Sequence, residues 1–211
     1  MGEIGEEAAA GLIRVARGAI ESVFKGAGPD ELRFPAVFSE VVRRGVFVTL
    51  YTYPEMELRG CIGYPRPVDR LEVITARAAI AAAFYDPRFP PLEIDELKRV
   101  VLELSVLSPL ELIRVDDRRR IAEEVTVGRH GLIIEYGDAS GLLLPQVAVE
   151  HGWDAHEFLI NVCLKAGLPP TTYLDPESNV YRFEAELYIE ERPYGPVRRL
   201  RLEDLGARCS G

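Results

Sequence analysis

From Val180 to Ile189, Tyr181, Phe183, Ala185, Leu187 and Ile189 alternate with Arg182, Glu184, Glu186 and Tyr188. Successive side chains of a strand point to opposite faces. A strand with one apolar and one polar face has to lie in an antiparallel sheet that buries one side and wets the other. Three further runs support a fold built on such sheets. Val46–Thr52 is rich in β-branched and aromatic residues and predicts a strand, with Tyr53-Pro54-Glu55 as the turn into a returning strand through Cys61, near its end. Arg99–Leu107 reads as a strand in which Glu103 is the one charged residue of an otherwise apolar run. Leu132–Tyr136 and Leu142–Leu144 flank the loop Gly137-Asp138-Ala139-Ser140-Gly141 and predict a hairpin.

Helices fill the intervals. Ile4, Ala8, Leu12, Val15, Ala19 and Val23 recur at three- and four-residue steps, and Gly26-Ala27-Gly28-Pro29 closes that helix. Val68–Tyr85 predicts a second, whose many alanines suit close packing on a sheet. The three prolines of Asp86-Pro87-Arg88-Phe89-Pro90-Pro91 exclude helix and predict a stiff loop. Asp116–Glu124 reads as a short exposed helix. Pro145 is placed to open a helix, and Asp154 with Glu157 forms a capping-box signature for another, ended by Gly167 and Pro169.

At 211 residues the chain is long enough for one large domain or two small lobes. A net charge of −9 argues against a general nucleic-acid binder. No apolar run approaches the roughly 18 residues of a membrane span, and the acidic N-terminus lacks the pattern of a secretion signal. Cys61, Cys163 and Cys209 are widely spaced and outside any C-x-x-C, so neither a disulfide framework nor a zinc knuckle is expected. The expectation is a soluble cytoplasmic chain whose residues 192–211 form a charged C-terminal tail.

The chemistry concentrates in Leu58-Arg59-Gly60-Cys61-Ile62-Gly63. A cation such as Arg59 can draw a thiol pKa down, and Gly60 and Gly63 let the backbone turn or a ligand approach. Cys61 is therefore a candidate nucleophile, against the plain alternative of a small buried hydrophobe. Of the three histidines, His130, between Gly128 and Gly131 at a strand entrance, is the natural general base. His151 and His156 are five residues apart, which is not the spacing of two ligands on one helical face. Gln146 is placed either to hydrogen-bond a ligand or to tie down its turn.

Several segments together carry a family resemblance: the hexapeptide, Asp86-Pro87-Arg88-Phe89-Pro90-Pro91-Leu92, Gly128-Arg129-His130-Gly131-Leu132 and Gly141-Leu142-Leu143-Leu144-Pro145-Gln146-Val147-Ala148, with Trp153, Phe158-Leu159 and Cys163–Leu168. In this order the chain resembles the AMMECR domain family. The resemblance implies a single AMMECR-type domain of α+β fold, an antiparallel sheet flanked by helices with a smaller second lobe and a cleft between. It also implies association with a Memo-type and a radical-SAM-type protein, and it brings no settled reaction.

Two functions follow as expectations. In the first, Cys61 is the nucleophile or redox-active thiol of an enzyme acting on a small or peptide-like substrate. His130 is its base, Arg59 or Arg88 holds an anionic group, Gln146 orients the substrate and Glu103 is a candidate third residue. In the second, the hexapeptide is a tight loop that recognises a protein or modified peptide without chemistry, and Cys61 tolerates Ala or Ser. Metal binding through Cys61 and His130 ranks last, because it requires a further ligand. No cofactor, nucleic acid or membrane is expected as a partner.

Overall fold

A computed structural model describes residues 3–26 and 36–201, so Cys209 and half of the expected tail lie outside the described residues. The fold is α+β, with two antiparallel sheets in two compact units. The first unit takes in the described residues up to Leu107 together with Glu186–Leu200; the smaller second takes Ser108–Ala185.

In the first unit, strands β1 (Val46–Thr52), β2 (Leu58–Tyr64), β3 (Val100–Leu107), β8 (Ala185–Glu190) and β9 (Val197–Leu200) form a sheet of order β2-β1-β3-β8-β9. Val46, Val48 and Leu50 of β1 share a face with Leu102, Leu104 and Val106 of β3. That face packs with Leu12, Ile13, Ala16 and Ile20 of helix α1 (Gly5–Phe24) and Ile74, Ala78, Ala79 and Ala82 of helix α2 (Leu71–Phe84). Small side chains on α2 let its backbone come down onto β2: a Cβ on Gly60 would lie 2.1 Å from the Ala82 carbonyl oxygen. β1 has the predicted bounds, whereas Cys61 falls in the middle of β2 and not near its end.

α1 is tied to the sheet by a buried ion pair. Arg17, 4% exposed, donates from Nε and Nη2 to Glu190 at 2.7 and 2.5 Å and from Nη1 and Nη2 to the carbonyls of Leu97 and Val100 at 3.0 and 2.6 Å. Glu190 also accepts the Leu102 N–H at 2.9 Å. Both charges are therefore hydrogen-bonded on several sides, the condition under which burial of an ion pair is tolerated. The Tyr194 ring covers this pair, 4.0 Å from the Arg17 guanidinium carbon.

The second unit has a sheet of order β4-β7-β5-β6, from β4 (Glu111–Leu112), β5 (Gly131–Tyr136), β6 (Ala139–Leu143) and β7 (Asn179–Phe183). Leu132, Ile134 and Val180 pack with Phe158, Leu159, Val162 and Cys163 of helix α4 (Ala155–Lys165). The capping box is present: the Glu157 N–H donates to Asp154 at 2.8 Å and the Asp154 N–H to Glu157 at 3.0 Å. Pro145 opens helix α3 (Pro145–His151) at its first turn. The segment expected as an exposed helix is a 3-10 helix over Arg118–Glu124 that buries Ile121 and Ala122.

Two expectations are corrected. The alternating run at 180–189 is two strands in two sheets, β7 and β8, parted at Glu184. There the backbone leaves the ladder: the Glu184 N–H donates to Ser108 Oγ at 2.9 Å and its carbonyl accepts the Ser108 N–H at 2.8 Å. Period-two polarity is unaffected by such a break, so it is silent in the sequence. The second correction concerns the tail, because Val197–Leu200 pairs with β8 and Arg199 donates to Glu3 at 2.7 Å.

Arg17→Met leaves Glu190 buried without its cation and is expected to destabilise the chain by about 3–5 kcal/mol in denaturant titration. Arg17→Met/Glu190→Leu should recover much of that loss; a double variant as unstable as the sum of both singles would contradict the pairing.

Candidate functional site

Antiparallel register gathers the site. Cys61 on β2 is opposite Thr49 on β1, and Thr49 is opposite Glu103 on β3. Directly opposed residues share a face, so the three side chains form a row across the sheet. On that same face Ser105 is opposite Phe47, which is opposite Gly63. Thr49 Oγ1 donates to the Cys61 sulfur at 3.3 Å. Thr49, Glu103 and Ser105 are buried, Cys61 is half-buried, and the Ser105 hydroxyl has no hydrogen-bond partner among the described residues. The row joins the predicted Cys61 and Glu103 through Thr49, a residue that strand parity and the β1–β2 turn would have picked out.

β2 is an edge strand, and a side-chain pair closes it at Cys61. The Cys61 N–H donates to Asp86 Oδ2 at 2.8 Å, and the Cys61 carbonyl accepts from Arg88 Nη2 at 3.2 Å. Arg88 in turn donates to both Asp86 oxygens, from Nε at 2.9 Å and Nη2 at 2.7 Å. Asp86 and Arg88 thus satisfy the donor and acceptor that a neighbouring strand would take, one way to protect a sheet edge. The Arg88 fork beside it, with the backbone N–H groups of Cys61 and Arg88 that donate to it, brings the Asp86 carboxyl down to about 2.

The other hexapeptide residues have structural work. Arg59, 8% exposed, makes a bidentate pair with Glu96 at 2.8 and 3.0 Å, and its Nη1 has no hydrogen-bond partner among the described residues. Gly60 admits the α2 backbone, Gly63 admits the Phe47 ring, whose nearest carbon would be 2.3 Å from an added Cβ, and Ile62 packs on the core. Of the predicted anion holders, Arg88 is the half-exposed one, its side chain 51% exposed and paired with Asp86.

The electrostatics run against an activated thiol. Burial raises the Cys61 pKa, the Thr49 hydroxyl and Arg88 pull it part of the way back, and Glu103 and Asp86 push it up again. His130 belongs to the second unit, whereas Cys61 belongs to the first. His130 Nδ1 accepts the Thr126 N–H at 3.0 Å, which places the proton of the neutral ring on Nε2. Burial and the cations of Arg182 and Arg129 lower its pKa, against smaller opposing effects of Glu184 and Glu111. Each shift favours the neutral form. Gln146, 8% exposed at the start of α3, has an amide oxygen without a hydrogen-bond partner among the described residues. His151 stacks on Trp153 at 4.5 Å between centroids. Among the described residues no group of three or more His, Cys, Asp or Glu is arranged to hold a metal. No helix among them is long and apolar enough to cross a membrane.

Residues 13–188 match the AMMECR1 family. The chain is 49% identical over 185 residues to protein MJ0810 of Methanocaldococcus jannaschii, covering 88% of this chain and 91% of the relative. It is 45% identical over 194 residues to a protein of Aquifex aeolicus, covering 91% and 97%. The crystal structure of the uncharacterised protein PH0010 from Pyrococcus horikoshii superposes with a TM-score of 0.86 at 47% identity, over 93% of this chain and 98% of that one.

Two measurements check this geometry. In a Cys163→Ala/Cys209→Ala background, iodoacetamide should modify Cys61 with a pH midpoint above the free-thiol value of about 8.5, and Thr49→Val should move it higher by removing a hydrogen bond to the thiolate. A midpoint near neutrality would contradict the burial of the sulfur. Asp86 has a folded pKa of about 2 against an ordinary 3.8. Its contribution, about 2 kcal/mol, is therefore present above pH 3.8 and lost as pH falls towards 2. Asp86→Asn should remove that part of the acid limb of a stability–pH profile; an unchanged limb would refute it.

Proposed function

We propose, for a chain that belongs to the AMMECR1 family, that it is a protein-recognition module whose docking surface is centred on β2 and the Asp86–Phe89 loop. The observation that carries this reading is the Asp86–Arg88 clip on the backbone of a protonated Cys61. It holds the strand edge in place, while burial raises the thiol pKa and leaves it un-ionised at neutral pH. Nucleophilic use of Cys61 requires a thiolate, supplied by a base or a depressed pKa. The shifts of Cys61 and His130 both point away from a thiolate–imidazolium pair, which weighs against the enzyme reading.

Side chains of the kind that anchor interfaces surround the clip. Tyr85, just after α2, is 74% exposed, and Leu58 at the start of β2 is 39% exposed. Arg88 presents half of its guanidinium side chain. Tyrosine and arginine dominate binding hot spots, and a rigid surface loses little entropy on docking. The family resemblance associates such proteins with a Memo-type protein, and that protein is the partner assigned here; the radical-SAM-type protein is the second candidate. A cytoplasmic setting belongs to the same reading and suits the unpaired thiols of Cys61 and Cys163.

The full chain titrated calorimetrically with the purified Memo-type protein of the same organism should show saturable binding. Tyr85→Ser and Arg88→Ala are each expected to weaken it by about tenfold or more, and Cys61→Ser by less than about twofold. Alkylation of Cys61 with a midpoint well below about 8.5, abolished by His130→Ala, would overturn the module in favour of a Cys–His enzyme.

A further inference from the structure

Apart from the Cys61 region, the first unit carries a groove along α1 made of two chambers. The larger, of about 470 Å³, is lined by Arg14, Arg17, Gly18 and Glu21 of α1 with Glu190 and the 194–197 turn. The smaller, of about 250 Å³, lies among Phe24, Lys25, Ile94, Leu97 and Lys98 and is walled mostly by carbon. Glu21 and Tyr194 line both, so Tyr194 stands where the chambers meet. The larger chamber falls in the range of roughly 300–1,000 Å³ usual for small-molecule sites.

Two features shape the groove. The turn that carries Tyr194 closes through the Gly195 N–H on the Arg192 carbonyl at 2.8 Å, with Pro193 at the second position and Tyr194 at the third, φ 58°. A positive φ at that corner is a glycine or asparagine preference, yet the residue there is a tyrosine pinned over Arg17, its hydroxyl donating to Glu21 at 2.9 Å. Gly18, in the interior of α1, is the second feature, since a Cβ there would meet nothing within 4 Å among the described residues. A helix-interior glycine is unfavourable, and this one widens the larger chamber.

Charge sets the ligand's polarity. Arg17 is committed to Glu190, and Glu21 to the Tyr194 hydroxyl. Arg14 is exposed and has no ion-pair partner among the described residues. The far chamber sits at the C-terminal end of α1, where the helix dipole opposes an anion and Lys25 and Lys98 offset it; its lining by Phe24, Ile94 and Leu97 suits an apolar chain. From Arg14 to Phe24 the helix rises about 15 Å, close to the length of a chain of roughly ten carbons. We propose that the α1 groove binds a linear amphipathic carboxylate, its carboxylate on Arg14 and its chain passing Tyr194 into the Phe24–Ile94–Leu97 chamber.

The test uses decanoate below its micellar concentration, titrated into the full chain by calorimetry and mapped by amide chemical shifts. Expected are saturable binding and shifts confined to residues 10–25, 94–98 and 190–197. Arg14→Gln should weaken binding by about tenfold, as loss of a charge-assisted contact does. 1-Decanol should bind about tenfold more weakly than decanoate, for the same reason. Gly18→Leu fills the larger chamber and should abolish binding without lowering the melting temperature. Absence of saturation, binding indifferent to Gly18→Leu, or equal affinity for decanol would each overturn the proposal. So would capture by phosphatidylglycerol vesicles with no response to free decanoate, which would assign Arg14 to a membrane surface.

Discussion

Antiparallel pairing of β2, β1 and β3, in one register from Val46 to Leu50, is the constraint on which the first unit rests. A slip of one residue would exchange the two faces of a strand. Held as it is, the pairing turns Val48, Leu50, Leu102 and Leu104 towards α1 and α2, and Thr49, Glu103 and Cys61 to the other side. Core and candidate site are thus two consequences of one set of ladder hydrogen bonds. The Arg17–Glu190 pair adds the third dimension by fixing α1 to β8, with the Leu97 and Val100 carbonyls as further acceptors.

Within the hexapeptide the physical roles separate cleanly. Arg59 holds Glu96, Gly60 lets α2 approach, Ile62 enters the core and Gly63 lies under Phe47. Cys61 is the member whose sulfur accepts a hydrogen bond, from the Thr49 hydroxyl. Its backbone is gripped on both sides by Asp86 and Arg88. The strand therefore presents its surroundings, chiefly Tyr85, Leu58 and Arg88, on a rigid edge. On the proposed reading, an edge held this way loses little further freedom on docking.

Local signals in the sequence are legible because their physics is local. β1 follows from β-branched and aromatic residues in a run of seven, and its bounds are Val46–Thr52 in both. The Asp154–Glu157 capping box and Pro145 at the first turn of α3 depend on residues within a few positions of one another. By contrast, the break between β7 and β8 depends on Ser108, 76 residues away from Glu184. Arg59 looked available beside Cys61 because Glu96, 37 residues on, is invisible to local spacing. His130 had the right residue type, but its Nδ1 bond to the Thr126 N–H is a property of the folded turn.

The sequence by itself determined the family, the antiparallel character of the strands, the helical intervals and the segment in which Cys61 sits, since each is written in residue type and short-range period. Tertiary structure alone decided that Thr49 and Glu103 stand in line with Cys61, that Asp86 and Arg88 close the β2 edge, and that Tyr194 covers Arg17. The physical reason is that a hydrogen bond or ion pair depends on distance in space, and partners as far apart as Arg17 and Glu190, 173 residues, leave no local trace.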